Sequence, residues 1–142
     1  LKGHIALDNA RVTYQRYKKI FNPANPRWKA LTDKGARTQR PLWASTGTKN
    51  PAYSDVLYVE NLIGPDTVNT IPPGTLAAFL EHGKAIPAIE NDLEGAEIRL
   101  KRLAGAGIDL DGVCLKLLQD GVAAFNTAFG TLLKSIESKA KK

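Results

Sequence analysis

Gln39–Asn50 reads QRPLWASTGTKN, and the change of character inside it decides how the rest of the chain is read. Pro41-Leu42-Trp43-Ala44 is a short apolar run, and Ser45, Thr46, Gly47, Thr48, Lys49 and Asn50 follow as an abrupt polar cluster. A strand buried on both faces is apolar along its whole length, so the run has the character of a parallel-sheet strand and the cluster that of the loop into which it surfaces. In α/β proteins ligands collect beyond the carboxyl ends of such strands. Hydroxyls, a glycine and one lysine supply donors, close backbone approach and a single positive charge, which is the chemistry a phosphate requires. A plain polar surface loop after a core strand has the same composition, and the residues alone leave both readings open.

Working outward, residues 4–21 place Ala6, Ala10, Tyr14, Tyr17 and Phe21 on one helical stripe, with Arg11, Arg16, Lys18 and Lys19 off it and expected to reach water. Asn22-Pro23 ends this helix, because the residue before proline is pushed from helical angles. His4 reads as solvated. NPANP (22–26) is a turn, and Arg27–Lys34 a short helix anchored by Trp28 and Leu31 and closed by Gly35. Beyond the polar cluster, Pro51–Gly64 includes a helix opened by Ser54 or Asp55. DTVNTIPP (66–73) has the length and β-branched content of a second strand, with Asn69 its polar residue. Pro72–Thr75 then turns into a helix through Leu76, Phe79 and Leu80 that ends near Gly83; its N-terminus is a potential anion site, whereas His82 lies at its far end.

The remainder is helical. Ile89, Leu93, Ala96, Leu100 and Leu103 repeat at four, three, four and three, with acidic residues ahead of basic ones as the helix dipole favours. Asp109 or Asp111 caps a last helix whose stripe is Cys114, Leu118, Val122, Phe125, Phe129, Leu132 and Ile136, with a break expected at Gly121. Cys114 within that stripe is expected to be a buried structural thiol. The basic tail, residues 134–142, is expected to fray into water.

WAST-x-TKNP-x-YSD (43–55) followed by GPDTVNT-x-PP (64–73) resembles the segment spanning the last two barrel strands of transaldolases, the long bacterial and plant type in particular. LDNARVTYQRYKKIF and RWKALTDKGARTQRPLW before it, and GIDLDGVCLKLLQDGVAAFNTAFGTLLKSI after it, extend the resemblance over essentially the whole chain. It implies an α/β fold, the C-terminal portion of a (β/α)8 TIM barrel, with about two strands (near 41–45 and 67–71) in predominantly helical surroundings. Helices 88–140 would cover the barrel mouth, with Phe125 and Phe129 in the lid or in its core. Arg37 and Arg40 would enter at the stability face, away from the ligand. The resemblance places substrate phosphate at Ser45 and Lys49, with Thr46 and Asn69 as supporting groups behind them and Asn69 directed to the barrel interior or its top. Other branches carry arginine in this loop, which here is two residues longer, so lysine implies a point-charge contact instead of a bidentate fork.

Transaldolases move a dihydroxyacetone unit between sugar phosphates through a lysine Schiff base, in the pentose phosphate pathway, and the resemblance implies no metal or organic cofactor. The family's Schiff-base lysine and acid–base carboxylates lie on earlier strands, so no catalytic residue is expected in this chain, and the chain alone is expected to be inactive. Its partners would be sugar phosphates and the N-terminal barrel portion, whether in another chain or missing from this sequence. Two other readings stay open: part of a transaldolase–glucose-6-phosphate isomerase fusion, or a non-enzymatic fragment serving as a binding or scaffold module.

Composition agrees with a fragment of a globular enzyme. At 142 residues the chain is shorter than the ~250 of a (β/α)8 barrel. It opens on Leu1 and holds no Met, which reads as a start partway through a gene product. A hydrophobic content of 43% excludes a disordered chain, and no apolar run approaches the ~18 residues of a membrane span. Lone Cys114 leaves no disulfide and no metal-ligand spacing. The net charge of +6 divides as +8 over residues 1–40 (ten Lys/Arg, two acids), −5 over 41–133 (six, eleven) and +3 over 134–142 (four, one). With no nucleic-acid motif beside it, the basic excess reads as solvated helix faces. The expected location is the cytoplasm, or a plastid in a plant.

Overall fold

A computed structural model describes residues 1–140, and divides them into two compact units, Leu1–Arg102 and a second beginning at Leu103. The elements run α1 (Ile5–Ile20), α2 (Pro26–Thr32), β1 (Leu42–Trp43), α3 (Leu57–Asn61), β2 (Val68–Asn69), α4 (Pro73–His82), α5 (Leu93–Gly105) and α6 (Leu110–Ala140). Two parallel strands in helical surroundings are therefore present as expected. The ladder is shorter than expected: only Leu42↔Val68 and Trp43↔Asn69 pair, with Val68 N–H donating to Pro41 C=O and Thr70 N–H to Trp43 C=O.

In the first unit the core is Leu7, Tyr14, Leu62 and Ile89, with Trp43 and Tyr58 packed against it. Trp43 thus faces the helices. The period of two along a strand puts Leu42 and Ala44 on the opposite face, where both are exposed. Asn25 joins the first two helices: its side chain donates to Ile20 C=O and accepts from Arg27 N–H, capping one helix end and the next helix start. Phe21 and Trp28 meet edge to face at 4.7 Å, so Trp28 is buried as expected, but Leu31 points to solvent. Ser54 assists the start of α3 by accepting from Val56 N–H at 3.3 Å.

The buried face of α1 is not the apolar stripe alone. Arg11, expected to reach water, is 5% exposed, and Asp8 is wholly buried. Asp8 receives Arg99 Nε at 2.8 Å and Nη2 at 2.7 Å and lies 3.5 Å from Arg11 Nη1, while Arg11 Nη2 donates to Asn61 and Arg99 Nη2 to Asp92. A buried charge persists only where opposite charge and donors surround it, and these do. The hydrogen bond to Asp8, then that to Asp92, holds the Arg99 guanidinium further above its already high ordinary pKa. The Arg99 hydrogen bond lowers the Asp92 carboxyl in return. Lys18 and Gln15 bind Glu90 from the exposed side of α1, and the Lys18 bond lowers the Glu90 carboxyl.

His82, at the end of α4, meets Asp55 Oδ1 through Nε2 at 2.9 Å. That bond raises the imidazole pKa, and the charges of Asp55, Glu81 and Glu60 reinforce it. A raised folded-state pKa means the pair contributes fully below the unfolded value of about 6.5 and is lost as pH rises through the folded value. His82→Gln is therefore expected to lower the melting temperature slightly at about pH 5.5 and not at about pH 9. An equal deficit at both pH values would contradict this account.

In the second unit α6 is one uninterrupted helix, with no break at Gly121. Its stripe is not covered: Leu118, Phe125 and Phe129 are 64%, 80% and 62% exposed, and Cys114 is exposed instead of buried. The periodicity is helical as expected; among its described residues this unit has no second surface for the stripe to bury against. Residues 134–140 continue the helix, and the last two lysines of the tail lie outside the described residues.

Candidate functional site

β1 ends at Trp43, and the chain leaves the sheet through a sharp change at Ser45, whose φ of 57° lies in the left-handed region that non-glycine residues rarely occupy. The next residue is fixed. Thr46 is 2% exposed, and its hydroxyl donates to Asn69 Oδ1 at 2.8 Å, tying this loop to the end of β2. Gly47 lies against the start of α4: a Cβ there would stand 3.0 Å from Thr75 Oγ1 and 3.3 Å from Pro72 Cγ. A side chain there would require Thr75 Oγ1 or the Pro72 ring to give by a few tenths of an ångström, so glycine eases the close approach.

Ser45, Thr46, Gly47, Thr48, Lys49 and Asn50 form one side of a pocket of about 480 Å³. Its other walls are Ala6, Leu7 and Ala10 from α1, Leu42–Ala44 from β1, and Tyr58 and Leu62. The arrangement is an apolar cleft with a polar edge. Ser45 and Lys49 are both exposed at that edge, so a hydroxyl and an ammonium group are open to an incoming anion. Among the described residues, Trp43 Nε1 and Thr48 Oγ1 are buried without a hydrogen-bond partner, and both residues line the same pocket. Sequence reading counted Thr48 among the loop's hydroxyl donors but did not reach Trp43 Nε1, since nothing in composition marks a donor whose partner is missing.

The expected site residues are thus partly united. Ser45, Thr46 and Lys49 share the pocket, and Asn69 reaches it only through Thr46. Asn69 was expected toward a barrel interior or its top. It lies opposite Trp43 at the carboxyl end of β2, near Val59, Leu62 and Phe79. The expected anion site at the N-terminus of α4 is poorer than it reads, because Pro72 and Pro73 at its start have no N–H to offer. Among the described residues no group of three or more His, Cys, Asp or Glu could hold a metal ion, and no helix is long and apolar enough to cross a membrane.

A parallel strand pair with a donor-rich loop beyond its carboxyl end is an α/β arrangement, and comparison with known proteins supplies the family. The transaldolase/fructose-6-phosphate aldolase profile matches residues 1–136, and the chain belongs to that family. It is 46% identical over 144 residues to a transaldolase of Trichodesmium erythraeum, covering 100% of this chain and 37% of that protein. A transaldolase of Thiobacillus denitrificans is 45% identical over 136 residues, 96% of this chain and 37% of that protein. One from Frankia alni is 46% identical over 137 residues, 96% of this chain and 36% of that protein. The chain therefore spans little more than a third of the length of these relatives. The family carries the TIM-barrel expectation with it, and the resemblance read from residues 43–73 is borne out.

Proposed function

We propose that the chain is the C-terminal part of a transaldolase, with β1 and β2 as the last two strands of a (β/α)8 barrel and the Ser45–Asn50 loop as the seat of a substrate phosphate. The observation that carries this reading is the shared pocket edge of Ser45 and Lys49 beyond the carboxyl end of β1. Ser45 Oγ donates a hydrogen bond to a phosphate oxygen, and the Lys49 ammonium group supplies the charge. The transferred dihydroxyacetone unit is held as a Schiff base on a lysine outside this chain, so the amine acts as electron sink during C–C cleavage without metal or organic cofactor. The missing strands complete the sheet along the free edges of β1 and β2. The chain by itself is inactive. The assembled enzyme works in the pentose phosphate pathway of the cytoplasm.

The test compares fructose 6-phosphate with unphosphorylated fructose as donor in the complete enzyme. Ser45→Ala and Lys49→Ala should weaken use of the phosphorylated donor and leave the other unchanged. Equal losses on both donors would overturn the assignment of the loop to phosphate.

A further inference from the structure

Ser45 presents a difficulty that its neighbours resolve. A serine in the left-handed region costs energy and persists only where surrounding structure enforces it. Ser45 is itself exposed and none of the described side-chain hydrogen bonds anchors it, so the enforcement comes from the next two residues. Thr46 is buried and bonded to Asn69, and Gly47 is pressed against Pro72 and Thr75 at the start of α4. Asn69 is in turn fixed by the parallel ladder opposite Trp43. The chain thus leaves β1 at Trp43 and must reach Thr46 at a point set by β2, with only Ala44 and Ser45 to make the turn.

We infer that Thr46 and Asn69 are a positioning pair: their hydrogen bond holds Ser45 in its left-handed conformation and so sets the direction in which the Ser45 hydroxyl meets the substrate phosphate. The inference rests on the phosphate assignment of the loop and deepens it. In this role Thr46 and Asn69 act through Ser45, not through a contact of their own with the phosphate. Thr46 is the better judge of the two, because valine has nearly its shape and lacks only the hydroxyl, while serine keeps the hydroxyl and lacks only the methyl group. Preorganised donors lose effect when they must be re-aimed on binding, and a hydroxyl freed to rotate with its backbone is such a donor.

The experiment uses the complete enzyme and both donors. Thr46→Val is expected to raise KM for fructose 6-phosphate about 5- to 10-fold, to leave kcat within about twofold, and to leave KM for fructose unchanged. Thr46→Ser should restore the original KM. Asn69→Ala should give the same shift, and the double variant should be no worse than either single one, as expected of two residues acting through one bond. A merely structural role predicts a loss of kcat on both donors in proportion to unfolded enzyme, and that pattern would overturn the inference. If Ser45→Ala and Lys49→Ala shift the preference between donors while Thr46→Val does not, the positioning pair fails and the phosphate site stands. If none of the variants shifts that preference, both fail.

Discussion

Asp8→Ala is expected to destabilise the first unit by about 3–5 kcal/mol, the usual consequence of removing one partner from a buried ion pair. Asp8 is wholly buried and takes both nitrogens of one edge of Arg99, with Arg11 beside it. Removing the carboxylate leaves Arg11, itself 5% exposed, without its counter-charge in a place water does not reach. The effect is a large fraction of the ~5–15 kcal/mol by which domains are stable. For a unit of this size it corresponds to a fall in melting temperature of roughly 10–30 °C. Thermal unfolding followed by circular dichroism measures it directly. Asp92→Ala is the control: Asp92 bonds the same guanidinium from the exposed side, and its loss should be far milder. Equal, small effects of both substitutions would mean that Asp8 contributes no more than a surface pair.

The second large effect concerns binding. Lys49→Ala in the complete enzyme is expected to lower kcat/KM for fructose 6-phosphate about 10- to 100-fold, the range of a charge-assisted hydrogen bond worth about 1.5–3 kcal/mol. Ser45→Ala should fall toward the lower end of that range, since it removes one donor and no charge. Lys49→Arg should retain most of the activity, because the loop edge is open and a guanidinium can reach the same oxygens. The phosphate lies away from the reacting carbonyl, so the losses should fall mainly on KM. Steady-state kinetics with both donors separates this outcome from a general loss of fold.

Residues 43–73 disclosed the family because many specific residues occur there at fixed spacing, and the two strands were legible in the same stretch. Their extent was not: residues beyond Leu42–Trp43 and Val68–Asn69 have no ladder partner in this chain, and a strand is defined by its partners. The loop after β1 was legible as a donor-rich stretch, through Ser45 and Lys49, but its geometry was not. The left-handed turn at Ser45 adjoins a bond between Thr46 and Asn69, 23 residues apart, which no local pattern encodes. Burial of Arg11 escaped for the same reason. Its environment is built by Asn61, 50 residues away, and by Arg99 acting through Asp8, 91 residues from it. Cys114 shows the converse, where an apolar stripe at helical spacing was read as buried although no described residue of its own unit covers it.

The central claim is that this chain belongs to a Schiff-base transaldolase whose reactive lysine lies elsewhere. Borohydride reduction in the presence of fructose 6-phosphate, followed by peptide mass mapping, tests it most directly. Applied to the complete enzyme, it should leave one reduced ketose-derived adduct on a lysine outside residues 1–142, and applied to this chain alone it should leave none. An adduct on Lys49, or on any other lysine of the chain, would contradict the account.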